Sequence, residues 1–239
     1  TPTVRVYPFA VAPAAEAMAA DEVLLDHAAA GAAALRFYGW AEPTLSLGYF
    51  QPAAERLPDL PWVRRASGGA AILHGDGDLT YALALPAGRP WQDGEPWVCR
   101  FHRLIRDELV ARGADAKLVV CGEEAKLGPA LCFLDHTAGD VRLGGVKVAG
   151  SAQRKLRGAV LQHGTLRLTT SRRVPGLPGV RELAGVNLPA DEWVRVLSDR
   201  FAAATGWRLA PADWTPADHA RIVEIASTRY GSPEWNEKR

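Results

Sequence analysis

Two side chains in this sequence have the chemistry of a covalent catalyst, Cys132 and Lys147. A thiolate is a strong nucleophile, but an ordinary cysteine titrates near ~8.5 and needs a nearby positive charge or donor to ionise at neutral pH. A cysteine between apolar neighbours such as Leu131 and Phe133 is, taken alone, an inert core residue. This one stands beside a loop, Asp135 to Gly139, that leads straight into the segment carrying Lys147. The ammonium can supply the missing charge if that segment folds back over the loop. His136, in the same loop, is a candidate base, and a solvated loop histidine is the plainer reading.

The element that must position the lysine spans Asp140 to Leu168 and reads as strand, tight turn, strand, Gly-rich loop and longer strand. Gly144 and Gly145 suit a hairpin turn that needs positive φ. Period-two alternation places Val146 and Val148 on one face and Lys147 on the other. Gly150, Ser151, Ala152 and Gln153 are small or amide residues that let a ligand approach the backbone closely. A second stretch, Arg64 to Pro86, reads as a strand entering a Ser67-Gly68-Gly69 turn, a strand over 70–73, and a returning strand from Asp78 to Leu85, together a hairpin. His74 flanks its tip, either as a turn residue or as a pocket-closing one. Asp76 and Asp78 alternate with glycines there, the pattern of solvated turn residues rather than of a metal site.

The remaining chain predicts an α+β fold with a mixed, mostly antiparallel sheet flanked by helices. Val4 to Phe9 reads as a strand and Pro13 as the start of a helix to about Ala30, with Met18, Leu25 and alanines buried and the acids outside. Strands over 35–40 and 44–50 flank a turn at Ala41-Glu42-Pro43; Trp97 to Arg112 is a helix with Trp97, Phe101, Leu104 and Leu109 on one stripe. Lys117 to Val120 is a short strand. Thr169 to Pro189 is irregular, and two helices over about 191–205 and 217–230 close the chain, Thr215 capping the second. Residues 1–239 read as one catalytic domain, with 190–239 a helical segment packed on it.

Bulk properties exclude several classes. A net charge of +1 over 239 residues offers no field to gather nucleic acid or an anionic membrane. No apolar run approaches the ~18 residues of a membrane span. The Ala-rich segment 11–34 is no signal peptide, because Glu16, Asp21, Glu22 and Asp26 interrupt it. Three cysteines without metal-ligand spacing point to a reducing, cytoplasmic setting.

The motifs R-R-x-S-G-G…H-x-x-G-x-L-x-Y-x-L-x-x-P and G-x-K-x-x-G-S-A-Q-R…H-G-T-L, in this order, resemble the lipoate/biotin protein ligase superfamily, from about Arg36 to Leu168. Cys132-Phe133, a short loop and G-x-K-x-x-G-S-A-Q look like the cysteine-dependent octanoyltransferases of that fold, as do R-F-Y-G-W at 36–40 and E-W-N-x-K-R at 234–239. Departures are Ala70 in place of a third glycine and Asp135-His136 where those enzymes carry small residues. The resemblance implies transfer of an octanoyl group from octanoyl-acyl carrier protein, through a Cys132 thioester, to a lysine of a lipoyl domain (glycine cleavage H protein or a 2-oxoacid dehydrogenase E2). It implies no cofactor and no metal. Lys147 would orient the acyl carbonyl or lower the thiol pKa. Gly68, Gly69, Gly150, Ser151 and Gln153 would surround the acyl group, and Leu73, Tyr81 and Leu83 would line its apolar slot. Arg64 and Arg65 would meet the carrier's phosphopantetheine or form salt bridges; Arg154, Lys155 and Arg157 would dock the acidic carrier; His163 is mainly structural. The alternatives are an ATP-dependent lipoate ligase or lipoyl amidotransferase of the same fold, and a non-catalytic subunit that binds lipoyl domains.

Overall fold

A computed structural model describes residues 1–88, 97–126, 133, 135–171 and 176–239. The first strands are β1 (Thr3–Val6) and β2 (Ala10–Ala12). They replace the single strand expected over 4–9, since Pro8 has no N–H for a ladder. Helix α1 (Ala14–Ala29) then starts behind Pro13. Next come β3 (Ala33–Trp40), β4 (Thr44–Leu47), β5 (Trp62–Arg64), β6 (Ile72–His74), β7 (Asp78–Leu85) and helix α2 (Trp97–Ala111). The middle of the chain gives β8 (Ala116–Leu118), β9 (Ala125–Lys126), β10 (Asp135–His136), β11 (Val141–Leu143), β12 (Val146–Leu156) and β13 (Ala159–Arg167). It closes with α3 (Val180–Ala184), α4 (Ala190–Thr205), β14 (Arg208–Pro211), α5 (Pro216–Ile225) and α6 (Pro233–Asn236).

The large sheet runs β14-β1-β3-β7-β13-β12-β11-β8, with β2 beside β3. Pairings of β1 with β14 and β3, and of β2 with β3, are parallel; the others are antiparallel, so the sheet is mixed and mostly antiparallel. Because side chains alternate, its two faces carry different cores. On one face the alanines of α1 let that helix approach Ala34, Tyr38, Ala82, Ala84 and Leu161 closely. On the other, Phe101, Ile105 and Leu109 of α2 and Trp193, Leu197 and Phe201 of α4 pack on Leu35, Phe37, Tyr81, Leu83 and Leu166. Each such side chain, fully buried, contributes roughly 1.5–3 kcal/mol. The α2 stripe holds at Phe101, Leu104 and Leu109, and Gly113 leaves the helix at φ 85°.

Several expectations are corrected here. The segment 64–86 is not a hairpin: β5, β4 and β6 form a separate small sheet in which β4 lies between the other two, parallel to β5 and antiparallel to β6. The Gly75–Gly77 turn hands the chain from that sheet to the large one, and Asp78 is buried there against Arg167 (3.1 Å) rather than solvated. The second correction concerns the Gly-rich loop after Lys147, which is ordinary strand, since β12 pairs with β13 from Ala149 to Leu156. The C-terminal segment is also more than helical, because β14 continues the sheet on β1.

That segment braces the small sheet. Asn236 accepts from the Arg64 backbone N–H through Oδ1 (2.8 Å) and from Arg64 Nε through its carbonyl (2.9 Å). Trp235 Nε1 donates to the Arg64 carbonyl (2.7 Å), and the Ala53 N–H donates to the Arg239 carbonyl (2.7 Å).

Candidate active site

The β11–β12 turn uses Gly144 and Gly145 at φ 53° and 89°, the left-handed pair that a two-residue hairpin demands. Beyond it Arg142 faces Lys147 and Val141 faces Ala149, so Val148 is an extra residue, a β-bulge. Val146 and Val148 keep to the face opposite Lys147, and the extra residue puts Gly150 rather than Ala149 on the lysine's face; Lys147 is buried, its ammonium 2.7 Å from Asp140 Oδ2. Asp140, itself buried, also accepts from the Thr137 N–H (2.7 Å) and hydroxyl (2.9 Å). A buried ammonium is tolerable only with such a partner, because the desolvation cost of an ion is several kcal/mol. Phe133 lies beneath both Lys147 (5.8 Å) and the Arg167 guanidinium (4.3 Å). Gly150 owes its identity to the lysine: a Cβ there would lie 2.5 Å from Lys147 Cε and 2.9 Å from Nζ.

Which face this is follows from the register. Gly150 pairs with Thr165, whose hydroxyl meets His74 Nδ1 at 3.4 Å, and Ala152 pairs with His163. The lysine therefore lies on the face of the large sheet that meets the small one. Gly68 and Gly69 close the space between the sheets: a Cβ on Gly69 would come 4.0 Å from Ala152 Cβ, and one on Gly48 would overlap the Gly69 carbonyl. His74 stacks on Trp40 (3.8 Å) and meets Ser46 Oγ at 2.8 Å. Burial, reinforced by Arg65 and Arg167, holds its imidazole well below the usual histidine range, so it is neutral at pH 7. A small chamber lined by Trp40, His74, Thr80, Ala152, His163 and Thr165 opens between the sheets.

Other sequence expectations are redistributed. Arg64 and Arg65 are buried and spend their guanidinia on main-chain carbonyls: Arg64 on Gly48, Gln51 and Asn236, Arg65 on Ser46, Gly68 and Ala70. They shape the Gly68-Gly69 loop from behind, which corrects the expectation that they meet the carrier. Leu73, Tyr81 and Leu83 do not line one slot. Leu73 belongs to the small-sheet core with Leu45 and Leu47, whereas Leu83 is sealed in the α2-face core and Tyr81 stacks on Phe101 (4.0 Å). Ser151 and Gln153 share that α2 face, away from the lysine: Ser151 lines a cleft with Cys99 and Arg103, and Gln153 donates to Gln162, which donates to the Tyr81 hydroxyl. Their alternation with Gly150 and Ala152 along β12 is the reason. His136 is buried in β10 opposite Ala125 rather than solvated.

Two carboxylates were missed because acidic residues read as solvent-facing. Asp140 follows Thr137 by three, the spacing at which a carboxylate caps its own turn, and that was the available signal. Asp21 was expected outside α1, yet it is 2 % exposed and receives Arg36 (3.2 Å), the Tyr38 hydroxyl (3.1 Å) and His163 Nδ1 (2.8 Å). His163 Nε2 in turn lies 2.5 Å from Ser67 Oγ. Cys132 lies outside the described residues, between the described Lys126 and Phe133. Among the described residues no group of three His, Cys, Asp or Glu is placed to hold a metal, and no helix is long and apolar enough to cross a membrane.

Comparison with known proteins matches this architecture. The sequence profile of the lipoyl protein ligase A/B catalytic domain covers residues 13–177. Octanoyltransferase LipM of Halalkalibacterium halodurans is 30% identical, covering 92% of this chain and 93% of its own. The enzyme of that name from Kyrpidia tusciae is 31% identical over 92% and 93%. A solved bi-partite lipoate protein ligase from Thermoplasma acidophilum superposes with a TM-score of 0.73 over 99% of this chain and 97% of its own, at 19% identity, which speaks for the fold alone. The chain therefore belongs to the lipoyl protein ligase A/B catalytic-domain family and, within it, to the octanoyltransferases that serve lipoate biosynthesis and protein lipoylation.

Proposed function

We propose that the chain takes an octanoyl group from the thioester of an acyl carrier protein, holds it on Cys132, and delivers it to a lysine of a lipoyl domain. The observation that carries this reading is the buried Lys147 ammonium, fixed on Asp140 against Gly150 of β12. The Cys132 thiolate attacks the donor carbonyl, and the carrier sulfur leaves as a thiolate that takes up a proton from solvent. The acceptor amine then attacks the acyl-cysteine, the amide forms, and the thiolate is regenerated. Both steps pass through a tetrahedral oxyanion, which a fixed, desolvated ammonium stabilises without reorganising. A thioester is already activated, so neither ATP nor metal enters the balance. The lipoyl domain of a 2-oxoacid dehydrogenase E2 or of the glycine cleavage H protein is the acceptor class, and the reaction is a cytoplasmic one. Arg154, Lys155 and Arg157 at the β12–β13 turn offer the acidic carrier a cationic edge.

Intact-protein mass spectrometry after mixing with octanoyl-carrier protein, without ATP, tests the reading. One added octanoyl group, absent in Cys132→Ser, is expected. Transfer that appears only with free octanoate and Mg-ATP, and survives in Cys132→Ser, overturns it.

A further inference from the structure

The Ser67, His163 and Asp21 array is not used by the reaction as written so far. Asp21 is held from two further sides by Arg36 and Tyr38, so its Oδ2 is aimed at His163 Nδ1. A carboxylate at that nitrogen makes Nδ1 the donor and leaves Nε2 as a bare acceptor for the Ser67 hydroxyl at 2.5 Å. The same order of roles, carboxylate, imidazole, hydroxyl, makes a proton relay in serine hydrolases.

Its position suits an incoming amine. His163 lines both the inner chamber, with His74 and Thr165, and an outer cleft of about 220 Å³ that Ser67, Asp26, Arg154, Tyr49 and Trp235 also line. Two strand positions separate His163 from Thr165, the partner of Gly150 against which the ammonium rests. In a strand that is ~7 Å, and positions two apart share one face of the sheet. In this cleft Glu22 is taken by Arg229 and the Tyr49 and Trp235 rings carry Lys238, so the Asp26 carboxylate is the group that meets an approaching lysine side chain.

We infer that this array is the general base of the second half-reaction: the Ser67 hydroxyl takes a proton from the acceptor amine as it attacks the acyl-cysteine and passes its own to His163 Nε2, with Asp21 positioning the imidazole. The nitrogen–carbon bond forms, the carbon–sulfur bond breaks, the electron pair leaves on the Cys132 sulfur, and the amine proton ends on His163. The inference rests on the acyl-cysteine proposed above. A base of this kind contributes about 100-fold or more to a rate.

The experiment follows two half-reactions separately in the full chain, in Ser67→Ala and in His163→Gln: octanoyl loading by mass spectrometry, and discharge of the loaded protein by a lipoyl domain or by hydroxylamine. Hydroxylamine is unprotonated at neutral pH and attacks without a base. Both variants are expected to load and to discharge to hydroxylamine within about 3-fold of the unaltered chain, while discharge to the lipoyl-domain lysine falls about 100-fold. Lysine discharge within about 3-fold of normal in both variants overturns the relay, as does a parallel fall of all three rates, the mark of a merely structural role. An octanoyl adduct mapped to Ser67 overturns it too, since that hydroxyl would be carrying acyl groups rather than protons. An unaltered chain that takes up no octanoyl group sinks the acyl-cysteine itself, and that failure is visible before any variant is compared.

Discussion

The two faces of the β7-β13-β12 ladder are built on opposite principles. The face toward α2 and α4 is aromatic and aliphatic, with Phe101, Phe201 and Trp193 buried against Tyr81 and Leu83. The face toward α1 and the small sheet buries Lys147 with Asp140, Arg167 with Asp78, Arg36 with Asp21, and the His74 and His163 rings. Apolar burial is the inexpensive way to hold a sheet, whereas a buried ion pair is often no more stable than a hydrophobic replacement. A fold that accepts so many buried charges on one face, with a dense core behind it, has put its apolar packing on one side and its buried ionic groups on the other.

Substitutions can break that contrast if it is false. Lys147→Ala leaves Asp140 buried without its ammonium. Octanoyl transfer should fall about 100- to 1,000-fold, and urea denaturation should show about 3–5 kcal/mol of lost stability, since one half of a buried pair remains. Phe101→Ala, on the opposite face, should cost about 3–5 kcal/mol in the same titration while turnover per folded molecule stays near normal. A large fall in turnover there would mean that the two faces are coupled.

Gly150→Ala sharpens the point, because its methyl meets the lysine rather than the core. Overpacking should cost about 1–3 kcal/mol, but a displaced ammonium should lower turnover about 100-fold. His74 gives a pH signature. Its folded-state pKa is depressed by burial, so below about 6.5 the unfolded chain binds a proton that the folded chain refuses. Stability should therefore be intact above that pH and decline below it, by up to ~1.4 kcal/mol per pH unit from this group. In His74→Gln that share of the slope, measured by denaturation between pH 7 and 5, should vanish. The smallest effect belongs to the exposed Arg195–Asp199 pair of α4, where Asp199→Ala should change stability by less than ~0.5 kcal/mol and leave turnover untouched.

Much of the scaffold was legible because its signals are local. Period-two alternation gave β7 its observed bounds from Asp78 to Leu85, Pro13 marked the start of α1, and the Gly144-Gly145 pair marked the hairpin that carries the lysine. What escaped is non-local. Nothing near residues 62–74 announces that β4 slides between β5 and β6. The bulge at Val148 is a single extra residue with no compositional mark, so alternation carried past it misses that Gly150, rather than Ala149, shares the face of Lys147. Ser151 and Gln153 were assigned to the lysine's site by adjacency in sequence, which in a strand means opposite faces. Asp21 and Asp140 were missed because burial of a carboxylate depends on partners, Arg36 and Lys147, that only the fold brings within reach.

The clasp of Asn236 and Trp235 on Arg64 sets an order of events during synthesis. Domains fold as the chain leaves the ribosome, N-terminal parts first. Here β1 waits for β14 to complete its pairing, and the Arg64 arch over the glycine loop waits for residues 235 and 236. A nascent chain halted before residue 230 has emerged should hold β7, β12 and β13 but leave the loop at Gly68 open to protease, and one halted later should protect it. The glycine loop is thus closed by chain made long after it, however early β7, β12 and β13 pair.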